Sequence, residues 1–171
     1  TKTDSFMADL PEIMDANLPM SIDSQTVFPW LSLIVLLPAV GALIMPFLPT
    51  QESKNSNLPR NISLIVLFAD FLIIVGVLAN LFDQSSESLQ LVERLQWLPS
   101  IGLEWSLGVD GISAPLLVLS GLITLLSAAA SWKVKQKTRL YFALLLIQAS
   151  AQALVFLSQD FLLFFLAWEL E

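Results

Sequence analysis

The chain has no cysteine and no histidine. Without thiolate or imidazole it cannot hold an Fe–S cluster through cysteine, a haem through histidine, or the usual structural zinc. Cys/His and Ser/His nucleophilic pairs are excluded for the same reason, and no cysteine remains to report a redox compartment. Charge is scarce too: 13% of the 171 residues are Asp, Glu, Lys or Arg, against about 25% in soluble domains. What charge there is leans acidic, with 8 basic residues against 15 acidic ones. That balance argues against nucleic acid as a partner, since phosphate binding needs clustered Lys and Arg. No glycine-rich nucleotide loop appears, so an independent soluble enzyme is not a credible reading.

What is present is apolar. Hydrophobic residues make up 56% of the chain, and mean hydropathy is +0.74. A bilayer span needs about 20 mostly apolar residues. Four stretches qualify: Trp30 to Leu48, Ile62 to Phe82 (with Asp70 its one charge), Gly111 to Trp132, and Leu140 to Gln159. A fifth begins at Phe161 and reaches Glu171 after 11 residues, only about halfway across a bilayer. Free carbonyls in hydrocarbon are costly, so the expectation is a piece of a longer protein with a truncated fifth span. The fold class is therefore all-α membrane, four full helices plus that fifth, with the lipid bilayer as partner.

Loop charge predicts orientation. Residues 49–61 carry Lys54 and Arg60, and residues 133–139 carry Lys133, Lys135, Lys137 and Arg139. Alternating spans put these two loops on one side, so six of the eight basic residues share a face. The positive-inside bias makes that face cytoplasmic and points the N-terminus to a lumen or periplasm. Residues 1–27 read as a polar extension on the opposite side; they lack a basic lead into an apolar run, and Pro11 and Pro19 interrupt any helix.

The connection between the second and third spans has its own period. Leu89, Leu91, Leu95 and Trp97, then Leu103, Trp105, Leu107 and Val109, alternate with other residues around Pro99, Ser100 and Gly102. Period two broken by turn residues predicts a small outer-side β-hairpin over about 89–109, lying on the membrane surface. Trp30, Trp97, Trp105 and Trp132 all flank spans, as in an aromatic belt.

Charges inside spans are costly and tend to face protein or water. Glu169 and Glu171 fall near mid-depth of the fifth segment. Two residues on a helix is about 200°, so they point to roughly opposite faces and cannot serve one site. A carboxyl buried without a fixed cation takes and releases protons nearer neutral pH; the plainer reading is a solvated helix end. Asp70 is a relay group, a pore-lining residue, a partner for an unseen cation, or a cap on a neighbouring helix. Ser120, Thr124, Ser127 and Ser131 recur along the third span, and Gln148 and Gln152 along the fourth. Such stripes suit close helix packing, or else a hydrated channel wall. Pro38 sits inside the first span, and Pro115 reads as an ordinary helix start behind Asp110 and Ser113.

The run Leu-Gly-Val-Asp-Gly-Ile-Ser over 107–113, opening a helix, and the run Ser-Gln-Asp-Phe-Leu-Leu-Phe-Phe-Leu-Ala-Trp-Glu over 158–169 resemble the antiporter-like proton-pumping membrane subunits of complex I-type NAD(P)H–quinone oxidoreductases. Ala-Trp-Glu-Leu-Glu, with Phe28-Pro-Trp ahead of the first span, is most similar to the cyanobacterial and plastid NDH branch. The resemblance covers residues 28–171. It implies a subunit about three times as long, built of 14 helices with two inverted repeats of five, each giving half of a proton path. Glu169 would be the family's essential carboxylate, paired with a lysine two helices onward; Glu171 and Asp70 are lesser candidates. Cofactors would lie outside this chain: NAD(P)H or ferredoxin, Fe–S clusters and plastoquinone belong to the parent complex. Its partners would be other membrane-arm subunits, and its location a thylakoid membrane. A cation/proton antiporter subunit and a structural or assembly role are the other readings.

Overall fold

The computed structural model describes residues 28–48, 57–86, 88–98, 102–134 and 136–171, with backbone alone at 97 and 98. The extension 1–27, the loop with Lys54, the turn at Pro99 and Ser100, Lys135 and the Trp97 ring lie outside the described residues. Helix α1 is Trp30–Ile44, continued by a 3₁₀ turn Met45–Phe47. Helix α2 is Leu58–Leu81, starting four residues before the apolar run because Pro59 and Arg60 fit the first turn. A hairpin follows, β1 at Gln90–Leu98 and β2 at Leu103–Val109. Then come α3, Ser113–Ala130, with a 3₁₀ turn Ser131–Lys133; α4, Thr138–Leu157; and α5, Phe161–Leu170. Four helices are long and apolar enough to cross a bilayer, so the chain is a multi-pass membrane protein.

Helix α1 packs most extensively on α4, and α2 on α3. At Gly41 α1 packs tightly on α2: a Cβ there would lie 3.1 Å from Val66 Cγ1. Pro38 is buried inside α1 and leaves the helix unbroken. The Ser150 hydroxyl of α4 donates to Val35 O at 2.6 Å, a polar fastening beside the turn where proline withholds an N–H.

Two apolar clusters fill the bundle. One, towards the hairpin, contains Ile34, Ile74, Leu117, Leu157 and Leu163 with Leu103, Leu107 and Val109 of β2. The other, at the opposite end, is built on Ala42, Met45, Leu67, Ala128 and Leu146. Between Leu67 and Ile74 on α2 lies Asp70; between Leu117 and Ala128 on α3 lie Ser120 and Thr124; between Leu146 and Leu157 on α4 lie Ser150 and Gln152. A polar layer thus crosses the bundle near mid-depth.

The strands pair antiparallel, Arg94 opposite Ser106 and Leu95 opposite Trp105. Gly102 opens β2 at φ +70°, a left-handed turn conformation that glycine adopts freely. Alternation predicts one exposed face, but in β2 Leu103, Ser106, Leu107, Gly108 and Val109 are all buried. The hairpin does not lie flat on the bundle: β2 is wedged under the α4–α5 link. Gln159 N donates to Ser106 O at 2.8 Å, and Leu107 bridges Ser158. A lone hairpin is marginal in water; here the helices supply a third edge.

Candidate functional site

Helix ends leave backbone N–H groups unpaired, and α1 begins with Phe28 and Pro29, neither of which can cap it. The cap comes from the hairpin. Glu93 Oε1 accepts Leu31 N at 2.7 Å, and Oε2 accepts Ser32 N at 2.9 Å and Ser32 Oγ at 2.6 Å. Trp105 Nε1 donates to Ser32 Oγ at 2.9 Å. A negative charge here also meets the positive end of the helix dipole. The strand register is irregular between Gln90 and Glu93, and Leu91 takes φ +54°. That bulge re-aims the strand just before Glu93. Neither Glu93 nor Ser32 was singled out by sequence; nothing local distinguishes Glu93 from other strand charges. Trp105, expected in an aromatic belt, is bonded into this cap.

Asp110 Oδ1 accepts Ile112 N at 3.0 Å and Ser113 N at 2.6 Å, which starts α3. These bonds, that of Ser113 foremost, hold its carboxyl below the usual range. Asp160 caps the start of α5, accepting Leu163 N at 2.8 Å. That cap sets the register of everything downstream on α5. Leu163 and Ala167 are the buried residues of this helix; Glu171 follows its last residue, a step of four beyond Ala167 on the side that meets α4, and is itself exposed. Gln152 Nε2 of α4 donates to Glu171 Oε1 at 3.1 Å. Glu169 is exposed, about 200° round the helix from Ala167, on the face that α4 leaves uncovered.

Asp70 is 5% exposed, and its Oδ1 has no hydrogen-bond partner among the described residues. It lines a small pocket of about 10 Å³ with Ser120, Thr124 and Gln152. Thr124 Oγ1 lies 3.5 Å from Gln152 Oε1. Gln152 lines the same pocket as Asp70 and donates to Glu171, while no bond joins Asp70 to Gln152 among the described residues; Glu169 lies apart. Ser120, Thr124, Ser127 and Ser131 all donate to their own helix's carbonyls, and Ser120, Thr124 and Gln152 also line the pocket beside Asp70.

At the other end, Arg60 of α2 lies 3.9 Å above the Trp132 ring, a cation–π contact. It brings the start of α2 and the end of α3 together, as alternating spans require. Among the described residues no group of three or more His, Cys, Asp or Glu side chains could hold a metal ion. With no cysteine in the chain either, an Fe–S cluster does not fit these residues.

No known family profile matches the chain. Relatives are close nonetheless. NAD(P)H-quinone oxidoreductase chain 4 2 of Microcystis aeruginosa is 48% identical over 84% of this chain and 26% of its own length. Chain 4 3 of Trichormus variabilis is 49% identical over the same shares. Chain 4 of a Prochlorococcus marinus strain is 50% identical over 86% of this chain and 27% of its own. Among solved structures, a chain of the membrane-bound sulfane sulfur reductase, an archaeal respiratory membrane complex, superposes with a TM-score of 0.61. It is 18% identical and covers 82% of this chain and 21% of that one, a likeness of fold. The chain spans about a quarter of its curated relatives, and over that quarter it is a homologue of the cyanobacterial NAD(P)H-quinone oxidoreductase chain 4 proteins.

Proposed function

We propose that this chain supplies the first helices of a proton-translocating subunit in the membrane arm of a complex I-type NAD(P)H- or ferredoxin–plastoquinone oxidoreductase, with Glu169 as its proton-exchanging group. The observation that carries the reading is identity of 48–50% to chain 4 relatives over 84–86% of this chain. The geometry agrees with it. A carboxyl on the uncovered face of an apolar helix needs a further element to meet it, and a neighbouring helix bearing a cation fits that place. An approaching cation favours release of the proton, and its retreat lets the carboxylate reload. Movement of 2–3 Å in a poorly solvated site changes such an interaction by several kcal/mol at most. Quinone reduction elsewhere in the complex would drive that movement.

This chain's own residues hold, orient and exchange the proton; donor oxidation and quinone chemistry are assigned to neighbouring subunits. The basic ends, with Arg60, Lys133 and Arg139, belong on the cytoplasmic or stromal side of a thylakoid membrane by the positive-inside bias. Glu93 and the hairpin then face the lumen.

The test is Glu169→Gln in the assembled complex. Proton uptake coupled to quinone reduction should fall by at least about tenfold, with assembly unchanged. Unchanged coupled pumping would remove the basis for the reading and favour a scaffold role. A Na⁺-dependent residual flux without redox coupling would favour a cation/proton antiporter.

A further inference from the structure

The polar layer at mid-depth contains a group that the proposed pumping reading does not use. Asp70 lies in the middle of the 24-residue α2, where a lone charge costs about 2.5–3.5 kcal/mol even by lenient scales. Packing normally removes such a cost with a cation or a full set of hydrogen bonds. Neither is present: no Lys or Arg lines the pocket beside it, and Oδ1 is without a partner among the described residues. The hydroxyl protons near it are committed elsewhere. Ser120 Oγ donates to Leu117 O at 3.0 Å and Thr124 Oγ1 to Ser120 O at 2.9 Å. Their lone pairs are left to accept.

The pocket these groups line is about 10 Å³, close to the smallest space that holds one water. A water there can donate to Asp70 Oδ1 and to a hydroxyl or to Gln152 Oε1, within the two to four polar partners that a buried water needs. On its far side, Gln152 reaches Glu171 at 3.1 Å.

We infer that Asp70 is a second proton-carrying group, joined by one buried water and the Gln152 side chain to Glu171, and that α2 to α5 thereby contain a branch of the proton path separate from Glu169. The inference rests on the pumping reading above. The chemistry is proton exchange alone. A protonated water breaks one O–H bond as the Asp70 carboxylate forms one, and the reverse step returns the proton to water. Gln152 takes up no proton, because an amide is far too weak a base. It is a positioning residue: bonded between Thr124 and Glu171 it closes the branch, and when it turns aside water can reach Glu171.

The test uses the assembled complex in native membranes, carrying Asp70→Asn, Asp70→Glu, Gln152→Leu or Glu169→Gln. The first readout is the infrared carbonyl band of a protonated carboxyl and its shift in deuterated water; the second is protons moved per quinone reduced. Asp70→Asn should abolish one such band and lower coupled proton movement by about tenfold, while uncoupled quinone reduction continues. Asp70→Glu should restore a shifted band and part of the movement. Gln152→Leu should keep the band and slow the movement. If Asp70→Asn moves protons as the parent does while Glu169→Gln does not, the branch is wrong and the pumping reading stands. If Glu169→Gln is harmless, the pumping reading fails, and the Asp70 band then reports protonation without transport, which also overturns the branch. Should Asp70→Asn not accumulate, the absence of any band shift in Asp70→Glu overturns the proposal.

Discussion

Glu93 and Asp70 are both acids drawn away from water, and the molecule treats them in opposite ways. At the hairpin end Glu93 accepts three hydrogen bonds and closes the start of α1. At mid-bundle Asp70 is more deeply buried, yet one of its oxygens has no partner among the described residues. A carboxylate whose lone pairs are filled by backbone N–H groups is a structural fastener, and removing it strands those donors. A carboxyl left unfilled beside a water-sized pocket contributes little to packing and stays available for chemistry. Satisfaction of the oxygen atoms, more than depth of burial, separates the two kinds.

The sharpest way to break the comparison is at Glu93. Glu93→Ala should destabilise the membrane-inserted protein by about 2–3 kcal/mol, because charge-assisted bonds to a helix end are lost together. Thermal denaturation in mild detergent and proteolysis of the hairpin would read it; a variant as stable as the parent would show that the cap is decorative. Next is Ser150→Ala, which removes the bond to Val35 O beside Pro38. About 1 kcal/mol is expected, seen in the same melt, and Ser150→Thr should recover part of it.

A smaller effect attaches to Asp110. Its carboxyl is held below the usual range by the Ser113 and Ile112 N–H groups. A depressed carboxyl stabilises above the unfolded value, near pH 4, and that contribution is lost as pH falls through the folded value. Asp110→Asn should therefore cost under about 1 kcal/mol at pH 7, since the group is exposed, and the difference from the parent should vanish once pH has fallen through the folded value. A gap that persists in acid would mean the side-chain amide fails for steric reasons. The smallest change in stability belongs to Asp70→Asn, within about 1 kcal/mol of the parent, because Oδ1 has no protein donor to lose among the described residues and the amide keeps an oxygen that can accept from a pocket water. A loss as large as that of Glu93→Ala would put both acids in one class.

Much of the fold was legible because hydrocarbon thickness imposes a length that composition reveals. The uncharged runs near Val35, Ile123 and Leu145 are spans wherever their neighbours lie, since each satisfies its own backbone hydrogen bonds. The hairpin was legible from its period of two and its turn residues. Its position was not. Burial of Ser106 and Gly108 follows from Gln159 pairing with Ser106 O, a contact across more than fifty residues with no local trace. At the candidate site, opposite faces for Glu169 and Glu171 followed from helical geometry alone. Which face turned inward required the Leu163 and Ala167 contacts. Gln152 looked like any packing amide until α4 brought it between Thr124 and Glu171.

The sequence by itself determined that the chain crosses a bilayer, where its helices run and which residues are too polar for their surroundings, because each of these depends on local transfer free energy and chain length. Only the tertiary structure decided that Glu93 is a cap, that Asp70 Oδ1 has no partner among the described residues and that Gln152 lines the Asp70 pocket while bonding Glu171. Hydrogen-bond satisfaction is a property of neighbours, and the neighbours of a transmembrane residue lie on other helices.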